Sequence, residues 1–337
     1  MLGRATSAAR LPPSLISEVV EVCVSVRVPG ATAALLLVLL TGCGKDGRTV
    51  AQPVSPTPVG EAVSPAPPAH PATHLPTSPV LADAVLVGAG DIAECGQQGA
   101  VQTAALLDGI PGTVFTAGDN VYMNGTPKEF ECYAATWGRH RSRTYPGTGN
   151  HDYGTPGATG YFEYFGERAG PMGRGYYGFE AGAWHVVSLN SNVEWREGSA
   201  QLQWLRHDLQ QRRPRCLAAI MHHPLISSGP NGDNPHVRDL WRALHDAGAD
   251  IVVAAHDHIY ERHARINADG RPDPQGARLF TVGTGGARVY SIGGVRPTTE
   301  AKAAVWGVIK FVLQPGGYRW EFRSVEGILD SGLDTCE

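Results

Sequence analysis

The chain has 337 residues with 28 Lys and Arg against 32 Asp and Glu, a net charge of −4, and it is 42% hydrophobic and 18% charged. That balance excludes a highly charged disordered chain and leaves no global field to attract a polyphosphate backbone, so no nucleic-acid partner is expected. A chain of this length buries enough surface to hold a core without disulfides.

Residues 31–40, ATAALLLVLL, form an apolar run after Arg27 and before Thr41-Gly42-Cys43. The run is too short to span a bilayer as a helix and has the basic flank and small trailing residues of a secretory signal. Leu40-Thr41-Gly42-Cys43 also resembles the bacterial lipobox, which implies lipidation of Cys43, an exported chain anchored at the cell membrane, and membrane contact through that anchor alone; without the lipid the chain would be secreted. Residues 1–43 are therefore read as a signal segment. Residues 44–82 are read as a spacer, because nine Pro between 53 and 79 discourage both helix and ladder. A catalytic domain is expected over 83–337. Setting aside Cys23 and Cys43 leaves Cys95, Cys132, Cys216 and Cys336, an even number that in an exported chain suggests two disulfides. Three pairings are possible, and Cys95 with Cys132 and Cys216 with Cys336 is favoured.

The body alternates strand and helix patterns. Strands are predicted over 84–87, 113–117, 184–189, 216–221 and 251–255, with helices over 98–107, 199–211 and 235–247. Three more strands, 278–282, 303–312 and 318–325, follow without helices between them, so the fold class is α/β with a more antiparallel second half. Polar clusters fall at the strand ends, where α/β folds gather ligand chemistry: Asp91, then Asp119-Asn120 with Tyr122, Asn150-His151-Asp152, His222-His223, and His256 with His258. Gly88-Ala89-Gly90-Asp91-Ile92-Ala93 fits a dinucleotide fingerprint, but that reading leaves three of the clusters unexplained. No phosphate-binding P-loop, HExxH or GxSxG sequence is present.

Carboxylate, amide oxygen and imidazole suit borderline to hard cations. Asp91, Asp119, Tyr122, Asn150, His222, His256 and His258 are too many for one tetrahedral site and fit two metals sharing one carboxylate, the usual device for attack on phosphorus. The i and i+2 spacing of His256 and His258 lets each serve a different metal.

The ordered motifs Gly90-Asp91, Gly118-Asp119-Asn120-Val121-Tyr122, Gly149-Asn150-His151-Asp152, Met221-His222-His223-Pro224 and Ala255-His256-Asp257-His258-Ile259-Tyr260-Glu261-Arg262 resemble the calcineurin-like metallophosphoesterase superfamily. The Tyr of the second motif and the Tyr-Glu-Arg ending are most similar to purple acid phosphatases. The resemblance implies a two-sheet β-sandwich flanked by helices, the four-layer fold of that superfamily. It implies that Asp91, Tyr122 and His258 hold one metal, that Asn150, His222 and His256 hold the other, and that Asp119 bridges them. The cofactors implied are two metal ions, Fe(III) with Zn, Mn or Fe(II). The expected reaction is hydrolysis of a small phosphomonoester by a hydroxide bridging the metals. His151 would protonate the leaving group, with Asp152 fixing its tautomer. His223, His236 and Arg262 are candidate substrate contacts. Ala93 stands where many simpler relatives carry a His, which places weight on Tyr122 and disfavours a protein Ser/Thr phosphatase. The alternatives are a phosphodiesterase or nucleotide hydrolase with the same metal site and, from another class, a surface lipoprotein that binds phosphate or metal without turnover.

Overall fold

The computed structural model describes residues 82–336. The signal segment with Cys43, and the spacer up to residue 81, lie outside the described residues. In chain order, β1 (Ala84–Ala89), β2 (Ala93–Glu94), α1 (Gly99–Asp108), β3 (Thr113–Thr116), β4 (Val121–Tyr122), α2 (Pro127–Ala134), β5 (Thr144–Tyr145) and α3 (Thr159–Phe165) come first. Next are β6 (Tyr177–Ala181), β7 (Trp184–Ser188), α4 (Ala200–Arg212), β8 (Leu217–Ile220), α5 (Arg238–Asp246) and β9 (Ile251–Ala254). The chain closes with β10 (Tyr260–Ile266), β11 (Ala277–Val282), β12 (Thr299–Ala303), β13 (Gly307–Gln314), β14 (Gly317–Ser324) and β15 (Gly327–Thr335).

These strands build two large sheets, ordered β15-β14-β13-β1-β3-β5 and β12-β10-β11-β9-β8-β7-β6, and a small pair, β2-β4. The neighbours β1, β3 and β5 run parallel, as do β7, β8, β9 and β11. Strands β10 and β12 to β15 pair antiparallel, as the sequence pattern predicts for the second half.

Each short apolar run is buried on both faces, and the period of two decides which side chain meets which layer. On β8, Ala218 and Ile220 join the core that includes the other sheet, whereas Leu217 and Ala219 pack with Leu202, Leu205 and Leu209 of α4 and Leu240, Trp241 and Leu244 of α5. On β9, Val253 and Val252 divide in the same way. Leu86, Phe311 and Trp320 are cross-strand partners on one face of the other sheet. Phe280 reaches across from β11 with its ring 5.2 Å from Phe311 and 5.6 Å from Trp320. The arrangement is a β-sandwich carrying α4 and α5 against one sheet, with α1 packed on β13 of the other.

Local signals explain the element ends. The Ser199 hydroxyl accepts from the Leu202 amide and starts α4, and Thr126 with Glu129 forms a reciprocal cap on α2. The predicted helix over 235–247 is divided, because Pro235–Val237 forms a 3-10 turn before α5. The predicted strand over 303–312 is interrupted at Trp306, whose indole donates to Ala287 O, so β12 and β13 belong to different sheets. The apparent dinucleotide fingerprint is followed by β2 rather than by a helix. Disulfides join Cys95 to Cys132 and Cys216 to Cys336, the favoured pairing.

Phe280 is fully buried between the sheets. Phe280→Ala is expected to lower stability by about 3 to 5 kcal/mol, read as a fall in the urea midpoint with unchanged slope.

Candidate metal centre

The polar strand-end clusters meet at the carboxyl ends of β1, β3, β8 and β9. Asp91, Asp119 and His256 all take left-handed backbone, with φ of 58°, 47° and 69°. Such angles are uncommon for residues other than glycine and store strain that the surrounding packing must hold. Here they turn each side chain off its strand and back toward the others.

Tyr122 OH donates to Asp91 Oδ1 at 2.6 Å and also lies 3.1 Å from Asp119 Oδ2 and 3.0 Å from His258 Nε2. On the other side, His222 Nε2 is 3.0 Å from Asn150 Oδ1, 3.3 Å from Asp119 Oδ2 and 3.2 Å from His256 Nδ1. Asp119 Oδ2 therefore touches both groups. Its Oδ1 is held by the His151 amide at 2.8 Å, which leaves Oδ2 as the shared atom.

Backbone carbonyls set the imidazole tautomers, since a carbonyl can only accept. His222 Nδ1 donates to Ala117 O at 2.9 Å and His258 Nδ1 to Arg288 O at 2.7 Å. Both Nε2 lone pairs are then directed inward, the second-layer pattern that fixes ligating histidines. The centre holds more acceptors than protons, so the donor set fits cations. Burial disfavours a charged His222, but the Asp119 and Asp91 carboxylates outweigh it and raise its pKa to about 9. Burial, with the Asp119 and Asp91 charges behind it, pushes the Tyr122 phenol well above its ordinary value. Burial also opposes ionisation of Asp91, yet His258 and His222 hold its carboxyl below the usual range.

Glycines make room for this crowding. A Cβ on Gly149 would lie 2.1 Å from Asp119 Oδ1, and one on Gly283 would lie 2.4 Å from Asp91 Oδ2.

His151 sits at the rim with its side chain 28% exposed, its Nε2 3.9 Å from Asp119 Oδ2 and its ring 4.5 Å from that of Tyr122. Its Nδ1 donates to Met123 O at 2.6 Å. This corrects the expectation that Asp152 fixes the tautomer. The buried Asp152 carboxylate instead accepts from the Asn120 amide and side chain and from Gly149 N, so it braces the two loops that carry Asp119 and Asn150. Burial, and behind it the Asp119 charge, raises its pKa to about 7.

Arg262 is also corrected. Its guanidinium pairs with Asp330 at 2.8 Å and with Glu300, and lies over the Trp320 ring, so it is occupied in a surface ladder. His223 does face the centre, with its ring 4.4 Å from His256 and its Nδ1 2.7 Å from Ser191 Oγ. A ring nitrogen of each of His222, His223 and His256 lies within 4.8 Å of the others. His236 meets His223 edge to face at 4.9 Å and lies beside Trp195 at 5.5 Å. Sequence reasoning did not single out Ser191, the Met123 carbonyl or Tyr290, whose ring stacks on His258 at 4.0 Å. No motif marks them, since their roles come from loops that converge only in three dimensions.

The family profile for calcineurin-like phosphoesterases matches residues 81–260. The chain belongs to that family. Among its relatives are purple acid phosphatase 18 of Arabidopsis thaliana, 35% identical over 130 residues, and purple acid phosphatase 23 of the same plant, 33% identical over 152 residues. The matches cover 36% and 41% of this chain but only 29% and 33% of those proteins, so the matched region spans about a third of their length. An uncharacterised protein of Mycobacterium tuberculosis is 32% identical over 143 residues, covering 35% of this chain and 27% of that one. In fold, the chain is similar to a purple acid phosphatase from yellow lupin seeds, with TM-score 0.68, 20% identity, and 76% of this chain and 54% of that chain covered. It is also similar to the Plasmodium protein GAP50, with TM-score 0.60, 14% identity and coverage of 76% and 89%.

Gly149→Ala is expected to displace the Asp119 carboxylate and reduce bound metal to well under half of the wild-type content by elemental analysis, with the far-ultraviolet circular dichroism unchanged.

Proposed function

We propose that this protein is an exported binuclear-metal phosphoesterase that hydrolyses small phosphomonoesters. The observation that carries the reading is Asp119 Oδ2, which lies within 3.3 Å of donors in both halves of a seven-residue ligand set. Asp91, Tyr122 and His258 would hold one cation, Asn150, His222 and His256 the other, with Asp119 between them. Two such cations supply Lewis acidity toward a phosphoryl oxygen and ionisation of water near neutral pH. A phenolic oxygen among the donors of the first position favours a trivalent ion there, so Fe(III) with Zn, Mn or Fe(II) is the proposed pair.

His151 is the proposed proton donor. With Nδ1 committed to Met123 O, the proton of the imidazolium Nε2 is the one free to move to the leaving oxygen. His223, whose Nδ1 is engaged by the Ser191 hydroxyl, would present its Nε2 side to the substrate, with His236 behind it. Export is supported by the apolar run before Cys43 and by two disulfides, bonds that persist in oxidising compartments.

The alternative from another class is a surface protein that binds phosphate or metal without turnover. The complete donor set beside His151 favours turnover in this chain. Two metals per chain, with p-nitrophenyl phosphate cleaved faster than its bis-aryl diester, are expected. Faster diester cleavage would move the protein to the phosphodiesterase branch, and no turnover after metal reconstitution would leave the binding reading. His151→Ala is expected to lower kcat on phenyl phosphate by about 10² to 10⁴ with both metals retained. With iron in the first position, Tyr122→Phe should remove the visible charge-transfer band.

A further inference from the structure

A reciprocal helix cap needs one bond from the N3 carboxylate to the cap amide. Glu129 at the start of α2 makes that bond, accepting from Thr126 N at 2.8 Å, but it also accepts from Met123 N at 2.5 Å, from Asn124 N at 3.3 and 3.2 Å, and from the Thr126 hydroxyl at 2.9 Å. One carboxylate thus gathers the amides of 123, 124 and 126, more than a cap requires.

The geometry of one peptide group gives this a consequence. The Asn124 N–H and the Met123 C=O belong to the same planar unit and point in opposite directions when that unit is trans. The N–H end is directed at Glu129, and the C=O end accepts from His151 Nδ1 at 2.6 Å. A negative charge on the N–H side polarises the peptide and strengthens its oxygen as an acceptor. The role sought in Asp152 is therefore supplied from the other side, through a peptide rather than by direct contact. Glycine packing keeps the relay short. A Cβ on Gly125, at φ +67°, would meet Asp152 O at 2.5 Å and His151 O at 2.8 Å, so the two loops abut backbone to backbone. The Cys95–Cys132 bond fastens α2 to the turn after β2, and β2 pairs with the strand carrying Tyr122.

We propose that Glu129 is a positioning residue for His151, acting through the Met123–Asn124 peptide to hold the proton donor in one tautomer and one place. The proposal rests on the reading of His151 as the proton donor, and it extends that reading to a residue outside the centre. It predicts an effect that grows as the leaving group becomes a poorer one, because only such groups need the proton.

The test uses the metal-loaded full chain and a series of aryl monophosphates from 2,4-dinitrophenyl to phenyl. Glu129→Gln is expected to lower kcat on phenyl phosphate on the order of tenfold, a fraction of what a general acid supplies, while the dinitrophenyl ester, KM and metal content stay unchanged. In a His151→Ala background the same substitution should cost nothing further, the behaviour of residues that act as one unit. A loss equal across all leaving groups, or one that multiplies with His151→Ala, would overturn the proposal. If His151→Ala alone responds to the leaving group and Glu129→Gln does not, only the role of Glu129 fails. A flat response in His151→Ala removes the proton-donor reading and this proposal together. Thr126→Ala removes the cap but not the relay, and should lower the melting temperature without altering the leaving-group response. Should Glu129→Gln lose metal, Glu129→Asp, whose shorter side chain withdraws the carboxylate from the Asn124 amide, is expected to show the same loss confined to poor leaving groups, and a loss equal across the series would overturn the proposal.

Discussion

Everything at the carboxyl ends of the strands follows from one electrostatic conflict, the crowding of lone pairs within about 3 Å of one another. Two carboxylates, an amide oxygen, a phenol and three imidazoles face inward, and the second nitrogens of His222 and His258 are already committed to carbonyls. Burial makes such acceptors costly unless protons or cations separate them. Protons settle the conflict unevenly: His222 is pushed up to about 9 by Asp119 and Asp91 in spite of burial, whereas burial and the neighbouring His222 pull His256 down to about 4. Metal and proton compete for the same lone pairs, so affinity for the cations weakens as acidity rises.

The scaffold's task is to hold these groups against their repulsion. Left-handed backbone at Asp91, Asp119 and His256 aims the side chains, and Gly118 and Gly149 leave no Cβ in the gap between β3 and the loop after β5. Asp152 closes that gap from below by gathering amides of both loops. A second buried carboxylate does the same for the loop after β8. Glu261 accepts from the Ser228 amide and hydroxyl and from Thr299, and His263 and these hydroxyls, against the opposing effect of burial, hold its pKa near about 2. Because its folded pKa lies below the ordinary carboxylate value, its contribution is present above that value and is lost only as the pH falls toward 2.

Much of this was legible in the sequence because the ligands sit in short motifs at the ends of apolar runs, and the spacing of those runs carried the alternation of strand and helix, though not the order of strands in the two sheets. Asp91, Asp119, Tyr122, Asn150, His222, His256 and His258 are brought together from five separate segments that pattern alone had marked. What the pattern missed is what depends on loops meeting. Asp152 stands beside His151 in the chain, yet the turn directs its carboxylate to Asn120, and the imidazole finds the Met123 carbonyl instead. Arg262 follows a ligand motif, yet β10 carries it away to Asp330 and Trp320. His223, by contrast, was marked as a candidate contact, and it faces the centre because the chain has already left β8 at that point and turns against Ser191.

The chain's direction through β1 has a spatial result. The strand enters at Ala84 and reaches the centre only after Ala89, a run of about 20 Å at the usual rise per residue. Gln314 and Asp83 are bonded at the entry end, and there too Cys336 is fastened to Cys216 at the start of β8. Both ends of the described chain therefore leave from the rim opposite the candidate metal centre. A partner fused at either end of the described chain would therefore meet the back of the molecule and leave the mouth of the candidate centre uncovered.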